Sequence, residues 1–315
     1  MIKKAVVTIA VGRIYYLQLA KNLIKSFLIW NGESAIKLLV LTDNTTYFEE
    51  FRNNSKVIVK LLALEESQKS FTSKFLLIDH IVAEENLFID CDCLIYKPLD
   101  SIFDTMSAYD FTAIGEEQTS GDFFCDIKEM INKFNVIAMP VFVGSVYYFK
   151  NNQISKSVFA KALELKERYD ELNFIRLRGK ENEEPLFALS MALYHQHPIP
   201  NNETIKADRM FYKTCNTNVL KGKTKLKRIN QADQSTIVCE PAIVHFNDSY
   251  SESANYLMEE ARLKIAGRNS TLAEIDIIFR YYFKERATSI FKFVFRPIYH
   301  FILGPSKVHS NKRVQ

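Results

Sequence analysis

Apolar and polar positions fall along this chain in two patterns that alternate. Lys4 to Val11 (KAVVTIAV) is a run of strand length, apolar but for Lys4 and Thr8, as expected for a strand buried on both faces of a parallel sheet. Tyr16, Leu17, Ala20, Leu23, Ile24, Phe27 and Leu28 then recur at steps of three and four. That spacing predicts an amphipathic helix, ended at Asn31-Gly32 by a left-handed cap. Ile36 to Leu41 and Val57 to Leu62 predict two more strands, with a helical segment near Thr46 to Arg52 between them. Ser67 to Ala83 reads as helix, and Asn86 to Asp90 (NLFID) as a fourth strand running straight into Cys91-Asp92. Such alternation predicts an α/β sandwich around a mostly parallel sheet.

Beyond residue 100 the alternation loosens. Tyr109 to Gly115 and Val143 to Phe149 read as strands, separated by an insertion around Asp122 to Phe134. Ile154 to Leu172, Pro185 to Tyr194, Ser251 to Ile265 and Leu272 to Arg286 read as helices. Ile237 to Phe246 is strand-like, but Pro241 within it demands an edge or a bend. No Pro/Gly/Ser-rich linker divides the chain. The expected organisation is one main domain over residues 1–270 and a C-terminal helical appendage over 271–315.

Composition narrows the class. The chain has 315 residues, 47% hydrophobic and 25% charged, the balance of a water-soluble globular protein with a large core. No apolar run reaches the ~20 residues of a spanning helix. The start, Met1-Ile2-Lys3-Lys4 before Ala5 to Val11, superficially resembles a signal peptide; Gly12-Arg13 stands where a small-residue cleavage site belongs, so a first buried strand is expected. Five Cys without paired spacing predict reduced thiols and a cytoplasmic setting.

Charge is unevenly placed. Residues 280–315 carry eight Lys/Arg against Glu285, a net +7, while the whole chain is +4, which leaves −3 for the rest. A mildly acidic body with a basic, aromatic tail is not a nucleic-acid binder. It suggests that residues 280–303 meet an anionic membrane surface.

Four segments carry candidate chemistry. In Leu87-Phe88-Ile89-Asp90-Cys91-Asp92-Cys93, two carboxylates stand at the C-terminal end of an apolar strand, where open α/β sheets bind ligands. Close like charges held by a rigid sheet call for a compensating cation, and a divalent ion with oxygen ligands is the natural one; the alternative is a loop with two solvated acids. His245, in Val244-His245-Phe246, follows another apolar strand and is either a ligand or a hydrogen-bonded structural residue. Gly144-Ser145 precedes a strand and suits close backbone approach to a ligand, or is an ordinary turn. Glu183-Glu184, before Pro185, are explained equally well as first-turn helix acids.

Taken in order over residues 4 to about 250, these features resemble a GT-A (Rossmann-like) nucleotide-sugar glycosyltransferase, closest to the family 8 enzymes that include bacterial lipooligosaccharide galactosyltransferases. Thr72-Ser73-Lys74-Phe75 ahead of the D-x-D and the basic, aromatic tail add to the likeness. The resemblance implies a hexosyltransferase with a nucleotide-diphosphate sugar donor, UDP-linked, and a glycan or lipid-linked acceptor in bacterial cell-surface polysaccharide synthesis. It implies peripheral attachment at the inner face of the plasma membrane and retention of configuration. Mn2+ or Mg2+ would be held by Asp90, Asp92 and His245, with Asp90 also on the donor ribose. Lys74 would contact donor sugar or phosphates, Gly144 and Ser145 would line the sugar, and Glu183 and Glu184 would stand beside the anomeric carbon. Ala10, Val11 and Arg13 occupy the nucleoside-binding stretch but lack the family's acid or Asn there, and Asn247, Asp248 and Ser249 replace its phosphate-binding Gly and Lys.

Three other readings are open to these residues. A haloacid-dehalogenase-type phosphohydrolase also uses a D-x-D after a strand, its first Asp a nucleophile, but that strand comes first in its core. A non-catalytic membrane-surface protein could keep a transferase-like fold. A thiolate metal site at Cys91, Cys93 and Cys125 lacks paired spacing.

Overall fold

The computed structural model describes residues 2–62, 71–230, 233–267 and 271–281, together with residues 283, 287 and 295. In chain order the first strands are β1 (Ile2–Ala10), β2 (Lys37–Thr42), β3 (Val57–Leu61), β4 (Ala83–Ile89), β5 (Cys93–Ile95), β6 (Phe111–Gln118) and β7 (Met139–Lys150). They are followed by β8 (Ile199–Pro200), β9 (Lys206–Asp208), β10 (Thr214–Asn218), β11 (Lys223–Ile229), β12 (Thr236–Cys239) and β13 (Ile243–His245). The helices are α1 (Ile14–Asn31), α2 (Leu77–His80), α3 (Asp100–Met106), α4 (Ile127–Phe134), α5 (Gln153–Glu167), α6 (Glu183–Leu193) and α7 (Ala254–Lys264). Residues 271–281 are also helical.

The main sheet has the order β3-β2-β1-β4-β7-β6-β8. β7 alone runs antiparallel to its neighbours, β4 and β6; the remaining pairings are parallel, as expected from the sequence. Side-chain alternation builds two cores. Val7, Leu39 and Phe88 face α5 and α6, where Phe75, Phe159 and Phe187 complete one buried layer. Val6, Leu38 and Leu87 face α1 and α3 through Leu23, Phe27 and Phe103. Burial on both faces is why these strands read as mostly apolar runs.

Two small sheets, β5-β13-β9 and β10-β11-β12, lie beyond the main one. Cys215 and Leu226 of the second pack against Tyr256 and Leu263 of α7.

Several element boundaries differ from the sequence expectation. Gly32 is right-handed (φ −58°), so no left-handed cap ends α1; instead Asn31 is buried and its carboxamide oxygen accepts the Leu99 N–H at 2.9 Å. A tertiary contact stops this helix. The segment near Thr46 to Arg52 is a 3-10 helix, Thr45–Phe51. The helix expected over Ser67 to Ala83 is a 3-10 helix, Phe71–Leu76, then the single turn of α2; Ser67 to Ser70 lie outside the described residues. Pairing with Ile2 draws Ala83 into β4 instead. α5 stops at Glu167, short of Leu172. Ile237 to Phe246 splits about Pro241 into β12 and β13, which belong to different sheets. Residues 280–303 lie almost wholly outside the described residues. Among those described, no helix is long and apolar enough to cross a membrane.

Candidate functional site

From β1 the chain builds β2 and β3 on one side and then β4 on the other, so the order of strands reverses between β1 and β4. Their C-terminal ends therefore flank a crevice, the usual ligand position in open α/β sheets. Ala10, Val11, Gly12 and Arg13 close the β1 side, with Ala10 buried and Arg13 exposed. The Gly12 N–H (φ +85°) donates to Asp43 Oδ2 at 2.9 Å, which ties the ends of β1 and β2.

Asp90, Cys91 and Asp92 form a tight turn between β4 and β5. The Asp90 N–H donates to Ser145 O at 2.9 Å, extending the β4–β7 ladder, and Asp90 O accepts from the Cys93 N–H at 3.0 Å. Asp92 O accepts from the Phe246 N–H at 3.0 Å, which holds the second acid against β13. In that strand His245 is opposite Cys93 on one side and Asp208 on the other. The imidazole spans two carboxylates: Nε2 lies 3.2 Å from Asp92 Oδ1 and Nδ1 2.7 Å from Asp208 Oδ1. Burial alone would lower the His245 pKa; the charges and hydrogen bonds of Asp92 and Asp208 outweigh it and raise it to about 10. Burial would raise Asp208, but Lys206 and His245 hold it at about 2. His245 likewise holds Asp92 below the usual carboxylate range, against burial. Lys206 Nζ also reaches Asp208 Oδ2 (3.3 Å), Val143 O (2.7 Å) and Ser145 Oγ (3.0 Å).

A second charged group centres on Lys74, whose Nζ contacts Glu183 Oε1 (2.6 Å), Gly144 O (2.6 Å) and Asp90 Oδ2 (3.0 Å). Burial opposes its charge, yet Asp90 and Glu183 raise its pKa above the usual lysine range. Burial is also the main force on Glu183, and with the neighbouring charge of Glu184 it pushes that carboxyl to about 7 despite Lys74. Burial raises Glu184 and Asp90 as well. Glu183 Oε2 is buried with no hydrogen-bond partner. Glu184 Oε1 accepts the Gly144 N–H at 2.8 Å. A Cβ on Gly144 would come within 2.4 Å of Tyr147 Oη and 2.8 Å of Glu183 Oε1, so a larger residue would displace these side chains. The side-chain cap of α6 comes from Asn182, and both glutamates remain turned into the site from the first turn.

The residues present suit a divalent ion. Among the described residues, Asp92, Cys93 and His245 place ligand atoms within 4.8 Å of one another. The 3.2 Å between Asp92 Oδ1 and His245 Nε2 is close to the ~3.0 Å edge of an octahedron with ~2.1 Å bonds. Asp208 on Nδ1 supplies the hydrogen bond that fixes ring orientation in metal-binding histidines. Asp90 stands beside this group with its carboxylate on Lys74. Burial and the Asp92 charge keep the Cys93 thiol protonated. Cys125 packs in the core on the opposite face of the sheet, so Cys91, Cys93 and Cys125 do not converge.

Sequence reasoning missed Asp43, Lys206 and Asp208. Asp43 had a signal: like Asp90, it directly follows an apolar strand. Lys206 and Asp208 had none, because β9 is three residues long and only one of them is apolar.

No protein-family model and no curated protein matches the sequence. Solved structures do match the fold. An active-site mutant of LgtC matches at 14% identity over 78% of this chain and 87% of that one, with a TM-score of 0.50. The bifunctional glycosyltransferase WbbM matches at 12% identity over 88% of this chain and 51% of that one, with a TM-score of 0.51. The glycosyltransferase GlyE of Streptococcus pneumoniae TIGR4 matches at 17% identity over 64% of this chain, with a TM-score of 0.44. The chain spans about half the length of the GlyE and WbbM structures. The fold is that of the GT-A glycosyltransferases.

Proposed function

We propose that this chain transfers a sugar from a nucleotide-diphosphate donor, UDP-linked, to a glycan or lipid-linked acceptor of a bacterial cell surface. The observation that carries the reading is the convergence of two charged groups, Asp92–His245–Asp208 and Lys74–Asp90–Glu183, at the crevice between β1 and β4. The GT-A fold supports it. A phosphohydrolase of the alternative type needs its nucleophile on the first core strand, whereas Asp90 follows β4.

Asp92 and His245 would hold Mn2+ or Mg2+, with Asp90 beside them toward the ribose; bound there, the ion supplies Lewis acidity toward the diphosphate oxygens. Lys74 carries a fixed positive charge facing the same crevice, where preorganised charge stabilises a departing phosphate. The acceptor oxygen bonds to the anomeric carbon as the bond from that carbon to the diphosphate breaks. The acceptor proton leaves with the departing phosphate, as the resemblance to retaining enzymes suggests. Glu183 Oε2, buried and unpartnered, would be the acceptor for a hydroxyl of the transferred sugar. Glu184, through Gly144, keeps the β7 backbone in place beneath it. Val11, Arg13 and the added Asp43 would line the nucleoside side; Ala10 and Ser145 are fully buried, Ser145 with its Oγ on Lys206 and Asp208, so neither presents a side chain to the donor.

The helix over residues 271–281 leaves Leu272, Ile275 and Phe279 exposed at steps of three and four, with Phe283 beyond. With the basic residues that follow, this face suits the headgroup boundary of an anionic membrane at the cytoplasmic side. The deciding experiment is thermal shift and hydrolysis with Mn2+ and a panel of nucleotide sugars. A UDP-sugar is expected to raise the melting temperature only together with the ion. A panel in which no donor stabilises the protein or is turned over overturns the reading.

A further inference from the structure

The sheet β10-β11-β12 packs one face on the core and turns the other to solvent. Along β11 the sequence Lys223-Thr224-Lys225-Leu226-Lys227 alternates strictly: Thr224 and Leu226 are buried, and all three lysines are exposed. Lys213 and Lys221, at either end of β10 and its turn, are exposed too. The cross-strand neighbours of the central lysines are Asn218, Asn216, Thr214 and Val238, none of them acidic. Arg228 pairs with Glu203 at 2.7 Å, but among the described residues none of the five lysines meets a carboxylate.

An antiparallel sheet with one wet face needs polar residues there, not a single sign of charge. Lysines at i, i+2 and i+4 stand about 7 Å apart on one face and repel one another. Folding does not require that row. An anionic partner would neutralise it.

The same sheet is joined to the apolar helix. Asn218, the ladder partner of Lys223, donates to Glu274 Oε1 at 3.3 Å, and Arg262 bridges Glu274 (2.7 Å) to Thr217 O (3.0 Å). Exposed Leu272, Ile275 and Phe279 thus project from a helix fastened to the Lys223 end of the basic sheet.

We infer that the outer face of β10-β11-β12 is a second contact with an anionic bilayer, beside the C-terminal appendage that begins at residue 271. Acidic headgroups would neutralise Lys223, Lys225 and Lys227 while the adjoining helix inserts its apolar side chains. The apolar helix beside the lysines favours a bilayer over a soluble polyanion, which has no use for exposed Leu and Phe. The inference deepens the membrane part of the proposed function and rests on it for the choice of partner, but not on the transfer reaction.

The test is co-sedimentation of the full chain with vesicles of equal parts phosphatidylcholine and phosphatidylglycerol, against phosphatidylcholine alone, at low and high salt. Each lysine removed should weaken binding about fivefold, so K223Q/K225Q/K227Q should bind roughly a hundredfold more weakly at low salt. Its melting temperature and its Mn2+-dependent donor binding should be unchanged, because these residues are outside the site. A second variant, L272S/I275S/F279S, is expected to lose the salt-resistant part of binding and keep the salt-sensitive part. Unchanged vesicle binding by the lysine variant overturns the inference, as does binding of the wild-type chain to polyphosphate but not to vesicles. Failure of every nucleotide sugar to bind would strike the proposed reaction and leave this result standing.

Discussion

Among the described residues, two clusters of buried charge are finished differently. Where α7 meets β10 and the helix over 271–281, Arg262 donates to Glu259 (3.0 Å), Thr217 O (3.0 Å) and Glu274 (2.7 Å). Glu259, fully buried, also accepts from the Thr217 hydroxyl (2.6 Å) and the Val219 N–H (2.7 Å), so both of its oxygens are used. At the crevice between β1 and β4, by contrast, Glu183 Oε2 is buried without a partner. A closed ionic network fixes structure. An open one has valences left for a ligand.

This contrast can be broken by mutation. Asp92→Ala or His245→Ala should lower sugar transfer per folded molecule about a thousandfold, or about 4 kcal/mol in the barrier. Full turnover of Asp92→Ala in excess chelator would remove the ion from the account. Arg262→Ala should do the opposite: urea denaturation should show a loss of about 3 kcal/mol, because Glu259 is left buried and unpaired, while transfer per folded molecule holds. An unshifted urea midpoint would show that the closed network is ornamental.

Finer distinctions lie within the open site. Glu183→Gln should slow transfer about a hundredfold at unchanged metal affinity, measured by single-turnover kinetics. Glu184→Gln keeps an oxygen for the Gly144 N–H and should lose less; the reverse order would exchange their assigned roles. Asp208→Asn should weaken Mn2+ binding about tenfold in calorimetry, since Nδ1 of His245 loses its charged partner. The smallest effect concerns pH. Glu183 is raised to about 7 from an ordinary 4.5, so the folded state binds this proton more tightly than the unfolded one. Stability from this group is greatest below pH 4.5 and is lost as pH rises through about 7. Glu183→Gln should flatten that slope in metal-free thermal melts, and an unchanged slope would assign it to another group.

The local sequence determined the strands and where their ligand edge lies. A strand buried on both faces is mostly apolar, so Ala5 to Ala10, Leu38 to Leu41 and Leu87 to Ile89 announced the sheet, and Asp90 and Asp92 after the last of them announced the crevice. Tertiary structure decided which charges meet. Lys74 and Glu183 are 109 positions apart, and His245 and Asp208 are 37 apart; a short window cannot contain the strand order that joins them. Glu259 and Arg262, three apart on a helix, look like a surface ion pair until the packing of β10 and Glu274 encloses them. Gly32 has the composition of a left-handed cap, yet the contact of Asn31 with Leu99 ends the helix instead. Periodicity records burial, which is a property of each position. Partnership belongs to pairs of positions, and only the fold brings the pairs together.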